Sequence, residues 1–379
     1  MRAATTAKGF EYYEYVLTYV DDVLCISHKP METIAGIKSK FKLKGDKAEE
    51  PDGYLGAVIS KMTTASGVEC WTQSAEKYLA ESVKNVDATL EKKGNSPLPR
   101  KNCPTPLSGT YRPELDVTPE LGRDGHRYYQ ELIGVLRWAV ELGRLDILLE
   151  VSLMSAYLAS PREGHLEEVL HIFAYIKQHP KRKIAFDPES PKISSRRFTE
   201  CDWTDFYKDA EEAIPTNMPK PRGKPVSIHC FVDADLAGNK ANRRSQTGIL
   251  MFVNRAPIIW HSKRQNTVES STFGSEIVAM KNAVELIEAL RYKLRMMGIP
   301  IDGPASLYCD NEAVTKNCSN PESTLKKKHH SIAYHRNREA VAAGVIRIAW
   351  EDTRTNLADL FTKMLSVARR DELLDKFMY

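Results

Sequence analysis

From Val226 onward the chain lays down an order of elements that few folds can satisfy. VSIHCFVDAD reads as a strand, TGILMFVN as a second and APIIWHSK as a third, joined by turn-like segments. SSTFGSEIVAMKNAVELIEALRYKLRMMG has the spacing of one long helix, capped near Ser270–Thr272 and ended at Gly298. ASLYCD is a fourth strand, helical segments follow through Ala342, VIRIAWED is a fifth strand and NLADLFTKML a closing helix. This order predicts an α/β unit on one mixed five-stranded sheet with flanking helices.

Four carboxylates hold telling places in that order. Asp233 ends the first strand, Glu276 lies in the first turns of the long helix, Asp310 ends the fourth strand and Asp359 sits in the last helix. Each is set in apolar sequence, and strand ends of open sheets are where α/β sites gather. Asp235, two residues beyond Asp233, is an alternative on the same face of the strand. Four converging carboxylates would hold two divalent cations about 3.5–4 Å apart, an arrangement that clamps both oxygens of an in-line phosphoryl displacement. Hard oxygen ligands favour two Mg2+ or Mn2+ ions. Taken singly, any one of these acids is as well read as a surface residue; the order of four is the specific signal.

The N-terminal stretch YEYVLTYVDDVLCISHKP reads as a hairpin with Asp21 and Asp22 at its tip. A solvated turn is one reading, a divalent-metal site the other, since adjacent carboxylates repel unless a cation neutralises them. Met31–Lys44 has the spacing of a short helix; strands follow at Tyr54–Met62 and Val68–Trp71, then a helix over Gln73–Leu90. After a break rich in Pro, Gly and Lys, three apolar-periodic stretches predict a helical region: RYYQELIGVLRWAVEL, DILLEVSLMSAYLA and GHLEEVLHIFAYIKQH. In the first, Tyr128, Tyr129 and Trp138 fall at helical spacing and read as core rather than base-stacking platforms. EEAIPTNMPKPRGKPVS reads as a linker.

Composition enters where partners are concerned. The net charge is +4, but Val226 to the end holds 22 Lys and Arg against 17 Asp and Glu, so the basic excess is C-terminal and favours a polyanion there. Thr324–Arg338, TLKKKHHSIAYHRNR, has five basic residues and three histidines without an acid. Lys326, Lys327, Lys328, Arg336 and Arg338 there, and Arg243 and Arg244 after the first strand, are candidates for contact with a nucleic-acid backbone; a solvated helical face or a simple turn is the plain alternative. The spacing of His329, His330 and His335 fits no common zinc pattern. No apolar run reaches membrane-spanning length, and seven scattered cysteines without a CxxC pair argue for a reducing interior.

FVDADLAGNKANRRSQTG, APIIWHSKRQNTVESSTFGSEIVAM, LYCDNEAV, KKKHHSIAYHRNRE and TNLADLFTKML resemble the RNase H domain of copia-type retrotransposon polyproteins. TYVDDVL, YLGAVIS and YYQELIGVLRWAVELGRLDI resemble the end of the preceding reverse transcriptase with its thumb and connection. The resemblance covers nearly the whole chain. It implies a partial palm hairpin and thumb over residues 1–92, a helical connection over 93–190, a linker over 191–225 and an RNase H-like domain over 226–379. It also implies that Asp233, Glu276, Asp310 and Asp359 form a metal-binding quartet and that the domain cuts the RNA strand of an RNA–DNA hybrid. An intracellular setting goes with it, in a cytoplasmic virus-like particle or the nucleus.

By the same resemblance Asp21 and Asp22 are palm metal ligands, yet the stretch before them, MRAATTAKGFEYYEYVLTYV, has no third aspartate. The expectation is therefore a C-terminal polyprotein fragment with an incomplete polymerase site, completed only by upstream fingers and palm segments. No histidine stands between the fifth strand and Asp359, where some RNase H enzymes carry one; product release or proton handling then falls to water or another group. Two rivals stand beside this reading: a catalytically inactive relic that only binds nucleic acid, and an integrase-type nuclease, whose usual D, D, E order differs from the D, E, D, D order here.

Overall fold

A computed structural model gives the structure of residues 1–20, 22–42, 49–109, 111–326 and 328–379. The chain begins with β1 (Arg2–Thr5), β2 (Glu11–Tyr19) and β3 (Asp22–Ile26), an antiparallel sheet in the order β1-β2-β3, followed by α1 (Pro30–Lys38). The sequence predicts a bare and poorly ordered two-stranded hairpin; β1 supplies a third strand. Arg2 Nε and Ser27 Oγ donate to the buried Glu14 carboxylate at 2.7 and 2.5 Å, tying β1, β2 and the end of β3 together.

A second antiparallel sheet combines β4 (Gly53–Tyr54), β5 (Ala57–Thr63), β6 (Glu69–Ser74) and the later β7 (Lys183–Ala185). Against it pack α2 (Glu76–Lys92), α3 (Arg123–Glu141), α4 (Leu148–Ser155) and α5 (Glu163–Gln178), the helices expected from the apolar spacing. Tyr129 is fully buried and donates to the Met154 carbonyl at 2.7 Å, as a core residue should. Trp138 instead stays 40% exposed, because its position on α3 faces away from that core. The segment before the third sheet carries α6 (Thr204–Tyr207), and its Glu212 accepts bidentate pairs from Arg291 and Arg295 at 2.6–2.8 Å.

The third sheet holds β8 (Ile228–Ala234), β9 (Gln246–Val253), β10 (Ala256–Arg264), β11 (Ala305–Cys309) and β12 (Ile346–Trp350) in the order β10-β9-β8-β11-β12. The first three are antiparallel and the last two run parallel to β8, giving the expected mixed sheet. Alternation along β8 sorts its faces. Cys230, Val232 and Ala234 join a core with α7 (Thr272–Met296), α8 (Glu312–Ser319) and α9 (Ser331–Ala342). Phe231 points to the opposite core, closed by Leu360, Phe361 and α10 (Val367–Leu374). Ser271 caps α7 by accepting from Gly274 N–H at 3.2 Å, and Gly298 at φ +68° ends it, both within the predicted limits. The hydroxyls of Tyr13 and Tyr15 donate to the carbonyls of Lys220 and Met297, so the N-terminal sheet sits at the end of that helix. No helix among the described residues is long and apolar enough to cross a membrane.

The predicted closing helix over NLADLFTKML is a correction. Residues Leu357–Phe361 form a short 3-10 helix, and the α-helix comes afterwards as α10. The reason is tertiary. Buried Asn356 donates to the Val232 carbonyl at 3.0 Å and accepts from Ala358 N–H at 3.1 Å, which ties the turn's first residue to β8. Gly248, paired with Asp233 across β8 and β9, leaves the space the turn fills. A Cβ there would lie 2.7 Å from both the Ala358 carbonyl oxygen and Thr362 Cγ2. Gly248→Val is therefore expected to destabilise the protein by about 1–3 kcal/mol in urea titrations and to displace the turn bearing Asp359.

Candidate active site

Each acidic residue reaches the site from a different element. Asp233 is the penultimate residue of β8, Asp310 follows β11 directly, Glu276 stands in the second turn of α7 and Asp359 lies in the 3-10 helix. One carboxylate oxygen from each of Asp233, Asp310 and Asp359 lies within 4.8 Å of the others. Glu276 forms an equally close group with Asp310 and the Cys309 thiol, which lies 3.9 Å from Glu276 Oε2. The four residues singled out in the sequence thus meet at the end of two adjacent parallel strands. Asp233, Glu276 and Asp359 are buried and Asp310 is half-buried.

The oxygens are held by hydroxyls and one ammonium. Thr362 Oγ1 donates to Asp233, and Thr353 Oγ1 donates to Asp310 Oδ2 at 2.8 Å. Lys363 Nζ donates to Asp233 Oδ1 at 3.1 Å and to Asp359 Oδ1 at 2.7 Å. Burial, then the neighbouring charges of Asp233 and Asp310, pushes the Glu276 carboxyl well above its ordinary range. Burial and Asp233 likewise raise Asp310, and they bring Asp359 to about 6. Burial presses the Lys363 ammonium down, but Asp233, Asp359 and Asp310 outweigh it and hold its pKa above the usual lysine value. This is the electrostatic pattern of a carboxylate cluster short of positive charge. Its donors are carboxylate oxygens with one buried thiol at the margin, a set that suits a hard divalent cation.

Other sequence candidates fall elsewhere. Asp235 spends its carboxylate on the Gln246 backbone N–H, burial raises it to about 6, and it belongs to no metal-ligating group among the described residues. Asp21 lies outside the described residues. Asp22 is exposed at the start of β3 and likewise joins no such group. Lys327 also lies outside the described residues, while Lys326 and Lys328 are exposed. Arg336 is ion-paired with Glu288. Arg338 is a correction of position: it is 2% exposed, its guanidinium donates to the carbonyls of Asn317, Asn320 and Pro321, and it packs over Trp203 and Tyr334. That guanidinium is used up inside the fold. Arg243 is exposed at φ +57°, and Arg244 faces a groove beside the site. His329 and His330 gather with Glu269, apart from His335, which meets the Tyr207 hydroxyl.

Sequence reasoning missed Lys363, Thr362, Thr353 and Cys309. The signal for Lys363 was its place four residues after Asp359, one turn along a helical path. Because Asp359 titrates near 6 when folded, against an ordinary 3.8, folding favours its protonated form. That contribution is complete below about pH 3.8 and disappears as the pH rises through 6. In chelator, the melting temperature is expected to fall between about pH 4 and 6.5, and calorimetry on Asp359→Asn should give a flatter profile.

No protein-family model matches the chain. It is 26% identical over 355 residues to the retrovirus-related Pol polyprotein from transposon RE1 of Arabidopsis thaliana, covering 93% of this chain and 21% of that protein. It is 26% identical over 365 residues to the retrovirus-related Pol polyprotein from transposon TNT 1-94 of Nicotiana tabacum, covering 92% and 23%. With a transposon Ty5-1 protein of Saccharomyces cerevisiae it shares 29% over 276 residues, covering 72% and 73%. The chain spans about a fifth of the length of the plant polyproteins it matches. Among solved structures, the N-terminal RNase H domain of a Mycobacterium tuberculosis protein aligns at 12% identity over 40% of this chain and 97% of that one, with a TM-score of 0.29. LC11-RNase H1 in complex with an RNA/DNA hybrid aligns at 14% over 36% and 94%, also at 0.29. Over 93% of its length, this chain has as its homologues the retrovirus-related Pol polyproteins of copia-like transposons.

Proposed function

We propose that the part of the chain from Val226 onward is a ribonuclease H that hydrolyses the RNA strand of an RNA–DNA hybrid with the help of divalent cations. One observation carries this reading: Asp233, Glu276, Asp310 and Asp359 come from four distant points of the chain into one cluster of close carboxylates. Asp233, Asp310 and Asp359 would hold the cations, with Glu276 beside Asp310. Bound there, Mg2+ or Mn2+ would supply an activated water and charge stabilisation for in-line displacement at phosphorus. The chain's own contribution is placement. Thr362 and Thr353 fix the Asp233 and Asp310 carboxylates, and Asn356 sets the turn carrying Asp359.

The surroundings suit a polyanion. A groove of about 790 Å³ runs from Thr362 and Lys363 to the outer strand β10 and the helical layer. Arg112 and Arg137 enter it from the helical side, and Lys240, Arg244 and Arg264 from the sheet side. None of these five cations is ion-paired among the described residues, so they remain free for phosphates. The helical region would then be part of the substrate channel. The resemblance of the C-terminal motifs to copia-type RNase H domains implies the same partner.

Incubation of a labelled RNA–DNA hybrid with the protein and Mg2+ tests the activity. Wild type is expected to cleave the RNA strand, and Asp310→Asn to be slower by about 100-fold or more. Binding without cleavage by either form leaves a relic that only binds nucleic acid, and cutting of duplex DNA alone points to an integrase-type enzyme. The groove makes a separate prediction. Arg137→Ala with Arg264→Ala should raise the KM for the hybrid several-fold with kcat little changed. The slope of log affinity against log salt should fall by about one for each lost contact.

A further inference from the structure

Lys363 brings a positive charge to the site's carboxylates, which a metal-binding role does not explain. Its ammonium lies 2.7 Å from Asp359 Oδ1 and 3.1 Å from Asp233 Oδ1, oxygens of two buried carboxylates. The local backbone puts it there. The 3-10 helix ends at Phe361, Thr362 leaves the helical conformation at φ −127°, and Lys363 N–H returns to the Asp359 carbonyl at 3.0 Å. The side chain then folds back over the turn, with about a third of its surface open to the groove.

A divalent ion on this face would need these same oxygens as ligands. An ammonium hydrogen-bonded to both would then lie within a few ångströms of a double positive charge, so the two cannot share the seat. We infer that Lys363 is a built-in counter-cation: it occupies the Asp233–Asp359 face while the site is free of metal, and yields that face when a divalent cation binds. The inference rests on the metal-dependent reading above. Lys363 keeps two buried carboxylates compatible with the fold in the absence of metal, and in exchange it weakens the site's affinity for the ion. The groove gives the displaced ammonium somewhere to go without leaving the site's surroundings.

The test is direct binding of Mn2+, without nucleic acid, by calorimetry on wild type, Lys363→Met and Lys363→Arg. Lys363→Met is expected to bind Mn2+ at least fivefold more tightly and to melt at lower temperature in chelator, with a larger gain in melting temperature when Mn2+ is added. Lys363→Arg should stay near wild type. A second readout needs no variant: labelling of the Lys363 amine in wild type by an acylating reagent, mapped by mass spectrometry, should rise on addition of Mn2+. Unchanged or weaker Mn2+ affinity in Lys363→Met, or labelling indifferent to Mn2+ in a protein that binds it, overturns the counter-cation role alone. Absence of Mn2+ binding by every form overturns both this inference and the metal-dependent reading beneath it.

Discussion

Carboxylates gathered at the ends of β8 and β11 repel one another, and the rest of the C-terminal architecture answers that repulsion. At 4 Å two like charges cost about 4 kcal/mol in a moderately screened protein site, before any desolvation. The oxygens of Asp233, Asp310 and Asp359 lie within 4.8 Å of each other, with Glu276 beside them. The fold spends threonine hydroxyls, an ammonium and raised carboxyl pKa values on this one spot, yet none of these matches the charge of the cluster. The function proposed above gives that cost a purpose, since the positive charge the cluster lacks is what a bound divalent cation would supply.

The convergence depends on a close backbone approach. A central strand normally keeps its neighbours at side-chain distance, but Gly248 lets the 3-10 turn rest on β9 opposite Asp233. Asn356 fixes the turn's angle by bonding to Val232, the residue before Asp233. Asp359 and Lys363 then share one side of the turn, and both face Asp233. The quartet, the turn and the counter-charge are one unit.

The helical layer is joined firmly to this unit. Arg144 and Asp146 form a fully buried bidentate pair at 2.8 Å, Tyr175 donates to Asp146 at 3.1 Å, and Arg370 of α10 donates to Tyr175 at 2.9 Å and to the Asp146 carbonyl. Tyr379 and Lys183 exchange backbone bonds at 2.9 and 3.0 Å, which adds the last residues of the chain to the edge of the second sheet. A buried network of this kind is costly to break at either partner, so it holds the groove's two walls in register.

The amino-acid sequence by itself determined the order and faces of the elements and the positions of the four acids, because strand and helix periodicity and strand-end carboxylates are local properties. Its choice of Asp233 before Asp235 rested on the apolar run ahead of it, and the structure gives the two different tasks: one carboxylate joins the cluster, the other bonds Gln246. Only the tertiary structure decided the rest. NLADLFTKML has helical spacing, yet contact with Gly248 and Val232 tightens it into a 3-10 turn. Arg338 reads as an exposed basic residue of a charged run, yet three backbone carbonyls at the end of α8 and in the loop after it draw it inside. Lys363 reads as one more surface lysine, because the second of its two partners, Asp233, lies 130 residues away. Such pairings are set by where distant strands end, and no local pattern encodes that.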